Sequence, residues 1–292
     1  MRDSTLDELV GRLTEKSLNF PTSAQAALRV LDAINDPQCA IAGAARLVQL
    51  EPMLAAKAVA MSNTVAYNRS GRTVTSVQDA LQLIGLQTLK MLAVNVAMGR
   101  MSASTGAAQR PIATQLWDHS MQVGAIAYVL SRQTMSHLAD AAMFAGTVHE
   151  LSGFYLLTLW PDGANGDIAD IVTTLLHPRG AAAGAGQDPP THPLAEQFAR
   201  PLLNAMRIPT PIIEAIQSTW YEDLSLPAET LGDTLMLADV LAPVRSPFEG
   251  TLLMGKPVDR LLLDRFVGKE ELDAVLEESQ ETIKSLVGAL RA

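Results

Sequence analysis

The chain contains one cysteine, Cys39, among its 292 residues. A single cysteine excludes a framework of disulfide bonds and any zinc site built from several thiolates. No apolar run approaches the about 20 residues that a transmembrane helix needs, and no charged segment followed by an apolar core opens the sequence as in a signal peptide. We therefore expect a cytoplasmic protein without a membrane partner.

Positive charge is also scarce. Lys and Arg number 22 against 31 Asp and Glu, so the net charge is -9. Nucleic-acid binding depends on cations that neutralise phosphates, and no predicted helix carries a cluster of them, so direct nucleic-acid binding is not expected. Apolar residues make up 48% of the chain and charged residues 18%, which is typical of a folded globular protein.

Period-two alternation and hairpin signals are missing, whereas apolar residues recur at steps of three and four. Pro52 and Pro211 suit first helical turns, and Ser76 with Asp79 resembles a capping box. The helical periodicity is clear in 24–34, 41–50, 52–61, 77–84 and 86–98. The sequence therefore predicts an all-α fold, a two-lobed helical bundle.

Small and polar residues concentrate in 102–110 and divide the chain. We expect a helical lobe over residues 1–101 and a second helical lobe, ending in a C-terminal helix, over 110–292. Two connections in the second lobe are unusually long. The first, 178–192, is predicted to be mobile or a lid, and the second, 245–257, a surface excursion.

Four ionisable residues lie in apolar segments of the second lobe. His149 and Glu150 close the apolar stretch 139–148, while His119 and Asp239 lie in two other such stretches. Burial of an unpaired ionisable group costs several kcal/mol, so we expect these side chains to meet. Two imidazoles and two carboxylates could hold a single divalent transition metal, and the alternative is a hydrogen-bonded cluster without an ion.

Motifs at fixed spacing run along both halves. In the first lobe they are Glu51-Pro52-x-Leu54, Lys57, the segment 61–67 with Asn63 and Tyr67, and the segment 74–85 with Ser76 and Gly85. In the second lobe they are Leu116-Trp117-Asp118-His119-Ser120 and the segment 144–151 around His149-Glu150. Over roughly residues 18–242 this pattern resembles the HDOD domain, an HD-related output domain of bacterial signalling proteins.

The resemblance implies a degenerate member of the HD phosphohydrolase superfamily, with His119, His149, Glu150 and Asp239 at former ligand positions. Active members carry His-Asp where this chain has His149-Glu150. The phosphodiesterase branch has a lysine at the position of Gly153 and a His-His pair at that of Thr219-Trp220. These replacements predict that hydrolysis is lost. His192 is a weak match to another ligand position, and we interpret it as a solvated loop residue.

We therefore expect a non-catalytic regulatory module that relays a bacterial signal to an unidentified protein partner, with a relation to two-component systems left open. No cofactor is expected, apart from the single divalent metal left open above. The groove between the lobes and the loop 178–192 are the expected switching elements. Two alternatives remain: a metal-dependent phosphohydrolase acting on a nucleotide or cyclic dinucleotide, and a small-ligand sensor using the vestigial pocket. Oligomerisation stays open.

Two smaller predictions concern the first lobe. Asn63 is expected to fix a helix end or turn through side-chain hydrogen bonds to the backbone, with a partner-binding role as the alternative. The methionines are expected to fill the core; they are Met53, Met61, Met91, Met98 and Met101.

Overall fold

The computed structural model describes residue 18 and residues 20–36, 38–159, 194–221, 224–248 and 269–292. Within these ranges the chain forms α-helices and one short 3-10 helix, and no β-strand occurs. The all-α prediction is confirmed. The predicted helix around 168–176, the loop 178–192 and His192 lie outside the described residues.

The first half contains a long helix against which three shorter helices pack. Pro52 begins the third helix, and the Ser76 hydroxyl accepts a hydrogen bond from the Asp79 amide at the start of the fourth. Gly85 interrupts the fourth helix with φ 73° and ψ 174°, a conformation open essentially to glycine alone. The four helices are α1 (Thr22–Ile34), α2 (Ile41–Gln49), α3 (Pro52–Ser62) and α4 (Val77–Ala103).

Helix α4 has the length and apolar composition of a membrane-spanning helix, contrary to the expectation from the sequence pattern. Its most apolar window is 67% buried inside the protein, and Gly85 breaks its regular backbone. The helix packs against α1, α2 and α3, so its apolar residues form the centre of the first half.

The second half begins after a short link and ends with a helix that returns to the first half. Its helices are α5 (Arg110–Thr134), α6 (Ala139–Val148), α7 (Leu151–Leu159), α8 (Leu194–Ala205), α9 (Thr210–Tyr221), α10 (Leu231–Leu241), α11 (Lys269–Glu278) and α12 (Gln280–Arg291), with the 3-10 turn Ser136–Leu138 between α5 and α6. Helix α12 packs on α3 and α5, and α4 contacts α6 and α7. One core cluster includes residues of both halves, and the division at 1–101 and 110–292 stays a prediction.

The polar residues of the first-lobe motifs form hydrogen bonds that link separate segments of the fold. Asn63 donates from Nδ2 to the carbonyl oxygens of Val59 and Val74, at 2.9 and 2.7 Å, and accepts from the Val74 amide at 2.8 Å. Its predicted backbone-fixing role is confirmed. The Tyr67 hydroxyl donates to Asp140 at 2.6 Å and so links the first half to α6.

The methionine prediction is confirmed for most of its members. Met61, Met91, Met98 and Met101 are buried, with exposed fractions of at most 1%. It is wrong for Met53, whose exposed fraction is 47%, because its position on α3 faces away from the core.

Two glycines set the crossing of α5 and α6, which pack against each other more extensively than any other described pair. A Cβ atom at Gly146 would lie 2.6 Å from the Cα of Gly124, and one at Gly124 would lie 2.5 Å from Cγ2 of Thr147. Neither position therefore accepts a side chain without a backbone shift. This contact brings together the helix segments that carry His119 and His149.

Candidate metal centre

Three of the four predicted residues converge at the junction of α5, α6 and α10. His119 lies on α5, His149 follows the last residue of α6, and Asp239 lies on α10. One ligand atom from each of them lies within 4.8 Å of the other two. The helices that the sequence pattern predicted thus bring together residues that are 30 and 90 positions apart in the chain.

Asp239 lies between the two imidazole rings. Its Oδ1 atom is 2.8 Å from Nε2 of His119 and 3.5 Å from Nε2 of His149. The ring centroids of the two histidines are 5.3 Å apart. The same three atoms, two ring nitrogens and one carboxylate oxygen, therefore face a common point.

Backbone carbonyls determine the tautomer of both histidines. Nδ1 of His119 is 2.8 Å from the carbonyl oxygen of Val244, and Nδ1 of His149 is 2.7 Å from that of Gly146. A carbonyl oxygen only accepts, so each Nδ1 must carry a proton and donate it. In the neutral rings the lone pair is then on Nε2, which is the arrangement found in metal-binding histidines.

The facing atoms have no hydrogen-bond partner in the described part of the chain. His119 Nε2, His149 Nε2 and Glu150 Oε2 are all buried and unpaired, since the 2.8 Å contact of His119 with Asp239 lacks hydrogen-bond alignment. Such unmet groups cost about 1–3 kcal/mol each, and a native structure holds few of them. A single cation bound by the two nitrogens and the carboxylate would satisfy them, so the donor set fits a divalent transition metal.

Without a metal ion, a proton on His119 supplies part of the positive charge that the cluster attracts. Burial lowers the pKa of His119, but the negative charges of Glu150 and Asp239 outweigh it and raise that pKa to about 9. Burial alone would raise the pKa of the Asp239 carboxyl, yet its close contacts with the imidazoles of His119 and His149 hold that pKa well below its usual range. The cluster therefore attracts positive charge, whether a proton or a metal ion.

Glu150, the fourth predicted residue, lies beside this triad. Its Oε2 atom is 3.9 Å from Nε2 of His119, while Oε1 accepts a hydrogen bond from the Ser246 hydroxyl at 2.6 Å. The hydroxyl also accepts from the amide of Phe248 at 3.0 Å. Ser246 therefore holds one oxygen of the longer carboxylate away from the triad, and the assignment of Glu150 as a metal ligand stays a prediction.

The segment that follows α10 supports the site, and the sequence did not indicate this role. Val244 bonds to His119, and its amide also donates to Oε1 of Gln122 on α5 at 3.2 Å. Phe248 is fully buried, so the expectation of a surface excursion is wrong at that residue, whereas Arg245 is exposed. The available signal was Phe248 itself, a large apolar side chain beside Ser246, Pro247 and Gly250.

The positions where the phosphodiesterase branch carries Lys and His-His have structural roles here. A Cβ atom at Gly153 would lie 2.8 Å from the Phe248 ring, so no lysine fits that position in this packing. Thr219 is buried, and its hydroxyl donates to the carbonyl of Ile216 within α9 at 2.7 Å. Trp220 packs against the core as a half-buried side chain.

The centre is closed and negatively charged. The exposed fractions of the side chains are 1% for His119, 5% for His149, 3% for Glu150 and 17% for Asp239. The charged groups that shift the pKa values of His119 and Asp239 all belong to the cluster, and no Lys or Arg in the described ranges is among them.

The sequence profile of the HDOD domain matches residues 20–176, which is more than half of the chain. The chain belongs to the HDOD family. No curated protein matches it at a significant level. In HDOD terms, α1–α4 carry the N-terminal signature, and α5–α7 carry the first residues of the HD-related half.

Solved structures share the fold of this HDOD protein at low sequence identity. A protein from Shewanella amazonensis, named provisionally as a metal-dependent phosphohydrolase, has a TM-score of 0.64 and 20% identity over 99% of this chain and 98% of its own. An HDOD domain protein of unknown function from Geobacter sulfurreducens has a TM-score of 0.59 and 18% identity, with 99% of both chains covered.

A third structure, from Marinobacter aquaeolei, is named provisionally as a signal transduction protein. Its TM-score is 0.57 and its identity 19% over 99% of this chain and 66% of its own. At these identities the likeness establishes the fold alone.

Proposed function

We propose that this HDOD protein is a non-catalytic signalling module that acts through protein–protein contacts, with its His-His-Asp cluster as a structural centre. Family membership and the name of the Marinobacter protein support a signalling role. The observation that carries the proposal is the state of the cluster, which is buried and contains two carboxylates, and no Lys or Arg is among the groups that shift the pKa of His119.

Phosphate-ester hydrolysis needs the opposite environment. The phosphoryl group is an anion, and its transition state is stabilised by cations that surround it. Here the described charged neighbours of the histidines are Glu150 and Asp239, and Phe248 occupies the space beside Gly153. Without a bound ion a phosphate would meet the negative charges of Glu150 and Asp239, and the Phe248 ring would limit the space beside Gly153.

His119, His149 and Asp239 would hold one divalent transition metal ion through Nε2, Nε2 and a carboxylate oxygen. When bound, the ion supplies a coordinative link among three helices and, in principle, a Lewis acid. The two Nδ1 hydrogen bonds orient the rings, and Ser246 fixes the neighbouring carboxylate. In our proposal this link holds α5, α6 and α10 in one arrangement.

The exposed apolar side chains of the first lobe are candidates for the docking contacts of our proposal. The large hydrophobic residues with exposed fractions of 37–78% in the described ranges are Ile41, Leu50, Met53, Val65 and Leu83. All of them belong to the first half, and Leu50 is the most exposed at 78%. Apolar residues outside the core are a feature of protein-binding surfaces when they cluster.

Metal content and turnover, measured on one preparation of the full chain, test the proposal. We expect at most one equivalent of a transition metal by inductively coupled plasma mass spectrometry. We expect no hydrolysis of bis(p-nitrophenyl) phosphate above the level of His149→Ala, with or without added Mn²⁺. His137→Ala, at an exposed histidine in the 3-10 turn, is the matched control for the loss of an imidazole.

A metal-dependent phosphohydrolase is the second candidate, because a 2-His-1-carboxylate set with open positions also suits catalysis. Turnover in the wild type that His149→Ala abolishes and His137→Ala preserves would establish this alternative and overturn ours. A cyclic dinucleotide should be assayed as a second substrate. A ligand sensor that uses the same pocket would instead show a ligand-dependent rise in melting temperature without turnover.

A further inference from the structure

A second candidate site is a cavity of about 680 Å³ on the side of the molecule where the C-terminal helix meets the first lobe. Residues of α3, α4, α5 and α12 line it, together with Ala292. Its volume falls within the ~300–1,000 Å³ of typical small-molecule sites. None of the residues of the His-His-Asp centre contributes to its lining.

The lining combines cations with apolar surface. Lys57, Arg100, Arg110 and Arg291 contribute to it, and no acidic side chain is among its described lining residues. This concentration of positive charge contrasts with the net charge of -9 for the whole chain. A concave site whose charged side chains are all of one sign raises the local concentration of the opposite ion.

Two of the four cations already have carboxylate partners outside the cavity. Arg100 pairs with Glu51 at 2.6 Å, and Arg291 pairs with Asp118 at 2.9 Å. Arg110 has no ion-pair partner in the described part of the chain, and it occupies the first position of α5. A positive charge is unfavourable at a helix N-terminus, where the backbone dipole attracts anions.

Lys57 is the most constrained of these cations. Its side chain is 4% exposed, and its ammonium donates to the carbonyl of Leu290 at 2.6 Å and lies 5.9 Å from the centroid of the Trp117 ring. Neither contact neutralises the charge, and burial lowers the Lys57 pKa to about 8. A buried cation without a carboxylate partner is costly, so an anion beside it would relieve that cost.

We propose that this cavity binds a small organic anion with an aromatic or apolar body, whose negative group is neutralised by Lys57 and Arg110. Trp117 and Met53 provide the surface for the body, since both line the cavity. A carboxylate, phosphate or sulfonate suits the guanidinium fork, which forms bidentate hydrogen bonds with planar or tetrahedral oxyanions. Binding at this site does not depend on the proposed role of the His-His-Asp centre.

The C-terminal helix is part of the site. Leu290 accepts the Lys57 hydrogen bond, and Arg291 and Ala292 line the cavity. An anion held there therefore interacts with α12 as well as with α3 and α5. Ligand binding should consequently stabilise the docked state of Gln280–Arg291.

The test uses three probes that separate charge from apolar body: 1-naphthalenesulfonate, 1-naphthol and inorganic sulfate. The sulfonate resists hydrolysis, so turnover at another site cannot consume it. Isothermal titration calorimetry with excess EDTA should show saturable one-to-one binding of naphthalenesulfonate, with sulfate and naphthol each at least about tenfold weaker. Naphthol that binds as tightly as the sulfonate would overturn the proposal.

Arg110→Gln is the informative variant because Arg110 is exposed and its loss should leave the fold intact. We expect naphthalenesulfonate binding to weaken about tenfold, the usual effect of losing one charge-assisted hydrogen bond. Arg132→Gln is the matched control, since Arg132 is exposed on the same helix roughly 30 Å away. Unchanged binding in Arg110→Gln, or an equal loss in Arg132→Gln, contradicts the proposal.

Hydrogen exchange gives a readout at α12. Naphthalenesulfonate should increase the protection of amides in Gln280–Arg291 in the wild type and less so in Arg110→Gln. Lys57→Met can weaken docking of α12 by itself, so its result is interpreted only beside Arg110→Gln. Binding without any change of protection in α12 would show that the anion sits elsewhere.

Discussion

Two sets of polar side chains in this HDOD protein differ in how completely their hydrogen bonds are satisfied. In the first-lobe signature, Asn63 and Tyr67 have partners at 2.6–2.9 Å. In the HD-related half, His119, His149 and Glu150 each leave one buried atom without a partner. The side chains of the first set have their hydrogen bonds within the protein. The second set has unpaired polar atoms that face a common point.

This difference separates a residue that maintains the fold from one positioned for a ligand. A buried polar atom without a partner costs free energy, so several that face one another need an external compensation. Backbone carbonyls orient the two rings through their Nδ1 atoms and leave the Nε2 atoms without a hydrogen bond. This geometry supports our proposal that the cluster holds a cation, over the alternative of a hydrogen-bonded cluster without an ion.

Removal of the shared carboxylate should have the largest effect. Asp239→Asn takes away the one negative group between the two rings, so we expect metal affinity to fall at least about 100-fold, beyond the effect of losing a supporting hydrogen bond. Titration with Zn²⁺ against a competing chelator measures this. Asp79→Asn, at an exposed carboxylate of α4, is the control, and an equal loss there would point to nonspecific binding.

The close crossing of α5 and α6 at Gly124 and Gly146 can be tested by substitution. Gly146→Ala forces a Cβ atom against the backbone of Gly124, so we expect a loss of about 3 kcal/mol in the free energy of unfolding, measured by urea denaturation. Gly43→Ala is the matched control on α2, since nothing lies within 4 Å of its Cβ position. That variant should gain roughly 0.5–1 kcal/mol; similar losses in both would refute the close-packed crossing.

Ser246→Ala tests whether the segment after α10 supports the centre. The substitution removes the hydrogen bond to Oε1 of Glu150 and leaves that oxygen unpaired. We expect metal affinity to change about tenfold, at the lower end of the range for residues that orient metal ligands. The direction of the change in affinity decides the role of Glu150. Tighter binding means that the freed carboxylate joins the triad as a ligand, and weaker binding means that the carboxylate supports metal binding from its present position. No change in affinity would show that Ser246 has no part in the site.

Asn63→Ala tests the satisfied set. It removes three hydrogen bonds to the backbone, but Asn63 is exposed and water replaces part of them, so we expect a loss of about 1 kcal/mol in unfolding free energy. Metal affinity should stay unchanged. Asn63→Asp keeps the acceptor for the Val74 amide and should recover part of the stability. A change in metal affinity in either variant would contradict our assignment of Asn63 to the fold and not to the metal centre.

The smallest effect concerns pH in the metal-free protein. The pKa of His119 is raised from 6.5 to about 9, so its stabilising contribution is complete below pH 6.5 and is lost as pH rises through 9. With EDTA present, unfolding free energy should therefore decrease from pH 6.5 to 9, and less so in His119→Gln. Metal affinity should increase over the same range, because the ion displaces a proton. Equal slopes in the wild type and His119→Gln would rule out His119 as the source.

Much of the fold was predictable because helical periodicity is a local property. Pro52 and the Ser76 cap mark helix starts that the structure confirms, and Gly85 breaks the regular backbone within α4. It was also predictable that one cluster would contain His119, His149 and Asp239, since ionisable groups in apolar helices must find partners. The position of Glu150 was not, because one methylene and one hydroxyl, that of Ser246, determine where its oxygens lie.

The sequence by itself determined the helical class, the family and the residue types that can hold a cation. Only the tertiary structure decided that the Nδ1 atoms are bound by carbonyls, that Phe248 fills the space beside Gly153, and that Lys57 meets the end of α12. Periodicity and composition act over neighbouring residues, whereas these contacts join segments up to 233 positions apart. Their geometry depends on how whole helices pack, which no local pattern specifies.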